Sequence, residues 1–115
     1  MIEVSKAKGS YIYDNNNKKY LDFVAGVSAC SVGHCNEDVI NAIRDQSERY
    51  MHVMVYGEFV TKPSLELAKL LANNLPKNLN CTYFTNSGTE ALEGSMKLAR
   101  RYTGRKKIIA AKNAY

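Results

Sequence analysis

The chain has 115 residues, 45% of them hydrophobic and 23% charged, the composition of an ordinary globular protein with room for one small domain. That composition excludes collagen-like, low-complexity and strongly disordered chains. No apolar run approaches the roughly 18 residues of a membrane-spanning helix. The net charge of +5 is unevenly placed, because Lys97, Arg100, Arg101, Arg105, Lys106, Lys107 and Lys112 form a basic segment with no acid among them. Positions 1–96 carry nine basic against eleven acidic residues, so the basic character belongs to this one stretch.

Residues 10–23 read as a β-hairpin. Tyr11-Ile12-Tyr13 and Lys19 to Phe23 are the β-prone flanks, and Asp14-Asn15-Asn16-Asn17 is a polar turn tolerant of left-handed backbone. The small-residue run from Ala25 to His34 supplies close approach and unusual backbone angles rather than core volume. A helix is expected over 37–51 with Asn36 as its N-cap, Glu37 and Asp38 in its first turn, and Val39, Ile40, Ile43, Tyr50 and Met51 on one apolar face. Pro63 suits the start of a helix over 64–75, where its missing N–H costs nothing. Leu65, Ala68, Leu71, Ala72 and Leu75 line that helix, and Pro76 stops it.

The last third reads as strand, turn, helix, strand. Cys81 to Thr85 is the first strand and Lys107 to Ala111 the second. Between them a helix over 90–102 places Ala91, Leu92, Ser95, Met96 and Ala99 on one face, and Gly104 ends it as a left-handed residue. Such a βαβ unit implies a parallel sheet with a right-handed crossover. Two parallel strands do not close a doubly wound domain, and the sequence stops at Tyr115 directly after a strand. The expectation is therefore the front part of a longer protein.

Asn86-Ser87-Gly88-Thr89 joins a strand to a helix N-terminus. The first helical N–H groups lack intrahelical partners there and carry the positive end of the dipole. Gly88 admits close approach, and Ser87 and Thr89 add hydroxyls, so the turn suits a phosphate. The same residues also make an ordinary Ser/Thr N-cap followed by Glu90 and Glu93, and local physics leaves both readings open. The turn is neither a P-loop nor a dinucleotide fingerprint. His34, Cys35 and Cys30 lack zinc spacing, so no metal site is expected. An odd cysteine count (Cys30, Cys35, Cys81) without C-x-x-C spacing suits a reducing compartment. No signal-peptide pattern opens the chain, and the expected location is cytoplasmic.

Phe84-Thr85-Asn86-Ser87-Gly88-Thr89-Glu90-Ala91, followed by Lys97-Leu98-Ala99-Arg100 and Thr103-Gly104-Arg105, resembles the class III pyridoxal-phosphate aminotransferases. Tyr20-Leu21-Asp22-Phe23, Gly33-His34-Cys35, Ala42-Ile43, Gln46, Tyr56 and Leu65-Glu66-Leu67-Ala68 extend the resemblance in order along nearly the whole chain. The acetylornithine and ornithine aminotransferase branch is the nearest fit, with glutamate-1-semialdehyde aminomutase as the alternative within the family. The resemblance implies an α/β chain, the N-terminal part of a fold-type I transferase. Residues 1–60 would form the hairpin and helix segment, and residues 61–115 the start of the large, parallel-sheet domain. It implies pyridoxal 5'-phosphate as cofactor, with Ser87, Gly88 and Thr89 cupping its phosphate and Tyr115 stacked on its ring. Val27 and Tyr56 fall near the substrate entrance. It further implies an amino donor and a 2-oxo acid as substrates and a homodimer, with neither nucleic acid nor membrane as partner. None of the lysines matches the Schiff-base position, so no catalytic residue is assigned, and the chain alone is expected to be inactive. A different class, a basic phosphate- or nucleic-acid-binding module acting through residues 97–112, is the competing reading.

Overall fold

Asp14 reverses the chain in the hairpin expected over residues 10–23. Its Oδ1 accepts hydrogen bonds from the Asn16 and Lys18 N–H groups, both at 2.9 Å, and its Oδ2 accepts one from the Tyr20 hydroxyl at 2.9 Å. Asn17 takes a φ of 60°, a conformation that asparagine tolerates better than most residues. Desolvation pushes the Asp14 carboxyl up, but the Lys18 N–H, the Tyr20 hydroxyl, the Asn16 N–H and the Lys18 charge together outweigh it. The group is held below the usual carboxylate range.

This turn belongs to a three-stranded antiparallel sheet in a computed structural model that describes residues 1–54 and 56–114. The strands are β1 (Val4–Lys8), β2 (Tyr11–Asp14) and β3 (Lys19–Leu21), with β2 in the centre. Ile12 faces Ala7 on one side and Tyr20 on the other. The hairpin is where the sequence places it. The strand β1 is an addition that its Lys-rich, weakly alternating residues do not announce. Its register slips between Val4 and Lys6, where the Ser5 hydroxyl lies within hydrogen-bonding reach of the Tyr13 and Asp14 carbonyls. Lysines lie over tyrosine rings across this sheet, Lys19 Nζ coming to 3.6 Å from the Tyr11 centroid.

The chain divides into two compact units, Met1–Phe59 and Val60–Tyr115. In the first, β3 leads into α1 (Ala25–Ser28), a single turn whose residues all have positive φ, from 48° to 65°. The unusual backbone expected of the small-residue run is therefore present. The helix α2 (Glu37–Arg49) follows, with Asn36 Oδ1 accepting from the Val39 N–H at 3.2 Å. It ends two residues before the expected Met51, because Tyr50 turns extended.

The second unit holds α3 (Lys62–Asn74), with Pro63 in its first turn, and α4 (Gly88–Thr103). Gly104 closes α4 at a φ of 69°, its N–H donating to the Arg100 carbonyl at 2.9 Å, as expected of a left-handed cap. The two strands expected at 81–85 and 107–111 are not formed. Among the described residues the one sheet is the antiparallel β1–β2–β3. A strand exists through its ladder, and neither segment finds a neighbour to pair with, so the βαβ unit reduces here to its helix.

The expected apolar faces are also largely uncovered. Ala68, Leu71 and Ala72 on α3 and Met96 on α4 are half-buried, whereas Leu65, Leu75, Leu92, Val39, Ile40 and Ile43 are exposed. Among the described residues none is fully buried, so the best-covered places are the centre of the sheet and the segment around Asp22 and His34. Among the described residues no helix is long and apolar enough to cross a membrane.

Candidate active site

The turn before α4 is built by two reciprocal hydrogen bonds. Ser87, in extended conformation, accepts on its Oγ from the Glu90 N–H at 3.2 Å. The Glu90 carboxylate reaches back and accepts from the Asn86 N–H at 2.8 Å. This is the logic of a capping box, displaced by one residue at its outer end. The Thr85 hydroxyl donates to the Ser87 carbonyl at 3.2 Å and ties down the approach to the turn.

With Ser87 as the cap, Gly88 and Thr89 are the first two residues of a 16-residue helix, and helix geometry gives their N–H groups no intrahelical acceptor. A Cβ placed on Gly88 would meet nothing within 4 Å, so the space beside its Cα is open. The Ser87 Oγ is engaged as an acceptor but keeps its proton to donate, and Thr89 adds a second hydroxyl. The first turn of α4 thus carries two free backbone N–H groups and two hydroxyls at the positive end of the helix dipole. The arrangement fits a phosphate monoester such as that of pyridoxal 5'-phosphate. Ser87 is the cap of α4, and Gly88 and Thr89 are its first two residues.

Beside the turn lies an open cleft of about 440 Å³. Tyr83, Phe84 and Asn86 form one side of it, and Glu90, Gly94 and Lys97 the other. Lys97 pairs with Glu93 at 3.5 Å across one helical turn, both groups being well exposed. Arg100 and Arg101 stand in the last turn of α4, where they answer the helix dipole. The basic segment therefore has a local structural role at its start.

In the first unit, Val27 sits within α1 at φ 57° and ψ 55° and is 85% exposed, while Tyr56 is 87% exposed in an irregular segment. Tyr115, expected to stack on the cofactor ring, lies outside the described residues.

One constellation went unnoticed in the sequence. His34 Nε2 lies 2.7 Å from Asp22 Oδ2, both side chains being mostly covered. The ionised carboxylate accepts only, so His34 carries the proton on Nε2. The hydrogen bond from His34, then those from the Ala25 and Val24 N–H groups, hold the Asp22 carboxyl below the usual carboxylate range, against the desolvation that raises it. Aspartate and histidine twelve residues apart give no periodic signal; only their shared mooring to Gly9 and Ser10 brings them together.

The model of the class-III aminotransferase family matches residues 1–115, the whole chain. The acetylornithine aminotransferase of Archaeoglobus fulgidus is 38% identical over 95% of the chain, and that of Methanopyrus kandleri 39% identical over 99%. The chain spans only 28% and 29% of the lengths of those two relatives. Among solved structures, the adenosylmethionine-8-amino-7-oxononanoate aminotransferase from Methanocaldococcus jannaschii superposes with a TM-score of 0.81 at 31% identity. That match covers 89% of this chain and 23% of the other. A family model matched from the first residue to the last, with relatives 38–39% identical over nearly the whole chain, leads to one conclusion: the chain belongs to the class-III aminotransferases.

Proposed function

We propose that this chain serves as the phosphate-holding and substrate-entrance part of a pyridoxal-phosphate-dependent aminotransferase that moves an amino group from an acetylornithine-like donor to a 2-oxo acid. The observation that carries the reading is the open turn Ser87-Gly88-Thr89, with its two unpartnered helical N–H groups, lying in a chain that matches the family throughout. When bound, the cofactor supplies an electron sink for the amino-group transfer.

The chain's own residues do the following. The Gly88 and Thr89 N–H groups and the Ser87 hydroxyl donate to the phosphate, and the α4 dipole favours its charge. Glu90 keeps the turn in shape by holding the Asn86 N–H and so leaves the outer amides free. Val27 presents an apolar surface to the donor's far end. Such a surface cannot hydrogen-bond a free ammonium group, which favours an N-acylated donor over free ornithine. Tyr56 supplies an exposed phenol at the same entrance. The functional assembly is a homodimer, to whose interface residues 10–60 contribute.

The reading is tested by measuring amino transfer to a 2-oxo acid from acetylornithine and from ornithine in the enzyme that carries this chain. Turnover with a higher kcat/KM for acetylornithine is expected. No cofactor-dependent transfer from either donor would refute the activity, and equal efficiencies would refute the role of Val27.

A further inference from the structure

Three non-glycine residues of α1, Ala25, Val27 and Ser28, hold left-handed φ values of 48°, 57° and 65°. Each such residue costs roughly 1–2 kcal/mol, and for a β-branched valine the conformation is a genuine outlier. A turn of this kind persists only where its surroundings over-determine it.

Besides the backbone bond from the Ser28 N–H to the Val24 carbonyl at 3.0 Å, the surroundings that hold the turn are a carboxylate and an imidazole. Asp22 Oδ1 accepts from the Val24 N–H at 3.0 Å and the Ala25 N–H at 2.9 Å, gripping the entry to the turn. Its Oδ2 receives the His34 Nε2 proton at 2.7 Å. Both residues are moored to the same place on the sheet, the β1–β2 connection. The Asp22 N–H donates to the Ser10 carbonyl at 2.9 Å, and His34 exchanges two backbone hydrogen bonds with Gly9, at 2.8 and 2.9 Å. Gly33, at a φ of 83°, makes that mooring possible. A Cβ there would sit 3.3 Å from the Gly9 Cα and carbonyl oxygen. Downstream, the turn is closed by the Cys30 N–H donating to the Ala25 carbonyl at 2.9 Å.

We propose that Asp22 and His34 are positioning residues, a clamp that holds α1 left-handed and thereby fixes Val27 where it meets the amino donor. The role of Val27 rests on the aminotransferase reading above; the clamp itself rests on the hydrogen bonds alone. Without the His34 proton, Asp22 Oδ2 loses its partner, the carboxylate is held through Oδ1 alone, and the turn relaxes towards ordinary backbone angles. The side chain at position 27 then moves.

The test compares wild-type holoenzyme with His34→Ala and His34→Gln, the latter keeping an N–H donor at the same reach. Four readouts are taken: crystal structures of residues 22–34, the absorbance of bound cofactor, thermal unfolding, and KM and kcat for acetylornithine. The expected result for His34→Ala is an α1 that has left the positive-φ region and a KM about tenfold higher, the size of effect that follows loss of a well-placed apolar contact. Cofactor loading and kcat stay within about twofold, and His34→Gln restores both the turn and KM. A merely structural role would lower cofactor loading, kcat and thermal stability together, with no recovery of KM in His34→Gln, and that result overturns the proposal. So does an α1 that keeps its left-handed angles in His34→Ala. If wild type transfers no amino group, the aminotransferase reading fails, and the backbone of α1 in His34→Ala still decides the clamp.

Discussion

Replacing Gly88 by alanine separates the fold of the turn from its ligand. Gly88 is the first residue of α4, its φ is not in the left-handed region, and an added Cβ meets nothing within 4 Å. Alanine is also the better helix former, by up to about 1 kcal/mol in a helix interior. The unliganded protein carrying Gly88→Ala should therefore unfold at the same temperature as wild type or slightly above it. A phosphate is another matter, because the methyl group occupies the space through which a phosphate oxygen comes to about 2.9 Å from the amide nitrogens. Loss of one hydrogen bond to a charged group is worth about 1.5–3 kcal/mol. That corresponds to a Kd for pyridoxal phosphate raised roughly 10- to 150-fold. The assay is a titration of cofactor-free enzyme followed by absorbance, with Lys106→Ala as a control in the basic segment outside the turn. Wild-type affinity in Gly88→Ala, or an equal loss in Lys106→Ala, would refute the reasoning. A clear drop in thermal stability for Gly88→Ala would refute the claim of open space.

Other substitutions probe the same elements. Ser87→Ala removes the cap that accepts the Glu90 N–H and should destabilise α4 by about 1 kcal/mol, measured by thermal unfolding, as well as weakening cofactor binding. Gly104→Val forces a β-branched residue into a left-handed cap and should cost about 1–2 kcal/mol in the same measurement. Asp14 and Asp22 both titrate below their ordinary value of 3.8, so each stabilises the fold above about pH 4, and that contribution is lost as the pH falls through and below that value. Acid unfolding of Asp14→Asn should accordingly show a weaker pH dependence than wild type. Val27→Tyr should raise kcat/KM for free ornithine relative to acetylornithine, and an unchanged ratio would remove Val27 from the donor's path.

The sequence is most readable where structure is local. Asn36, Ser87, Pro63 and Gly104 each act within one helical turn, and each stands where its chemistry requires. The Asp14–Asn17 turn is of the same kind. Strand β1 is less readable because its residues become a strand only through pairing with β2, across a bulge that breaks any alternation. Residues 81–85 and 107–111 show the converse. Their composition suits strands, but a ladder needs a neighbour, and among the described residues none is supplied. The Ser87 cap and the helix start behind it are local features and could be read directly. The Asp22–His34 pair could not, since it depends on Gly9 and Ser10 drawing both residues to the β1–β2 connection.

The central claim is that the Gly88 and Thr89 N–H groups hold the cofactor phosphate, and a crystal structure of the enzyme carrying this chain, grown with pyridoxal phosphate, tests it most directly. Phosphate oxygens about 3 Å from both backbone nitrogens, with the Ser87 hydroxyl donating to one of them, is the result expected. A phosphate bound elsewhere, with the Gly88 and Thr89 amides facing water or other protein groups, would contradict it.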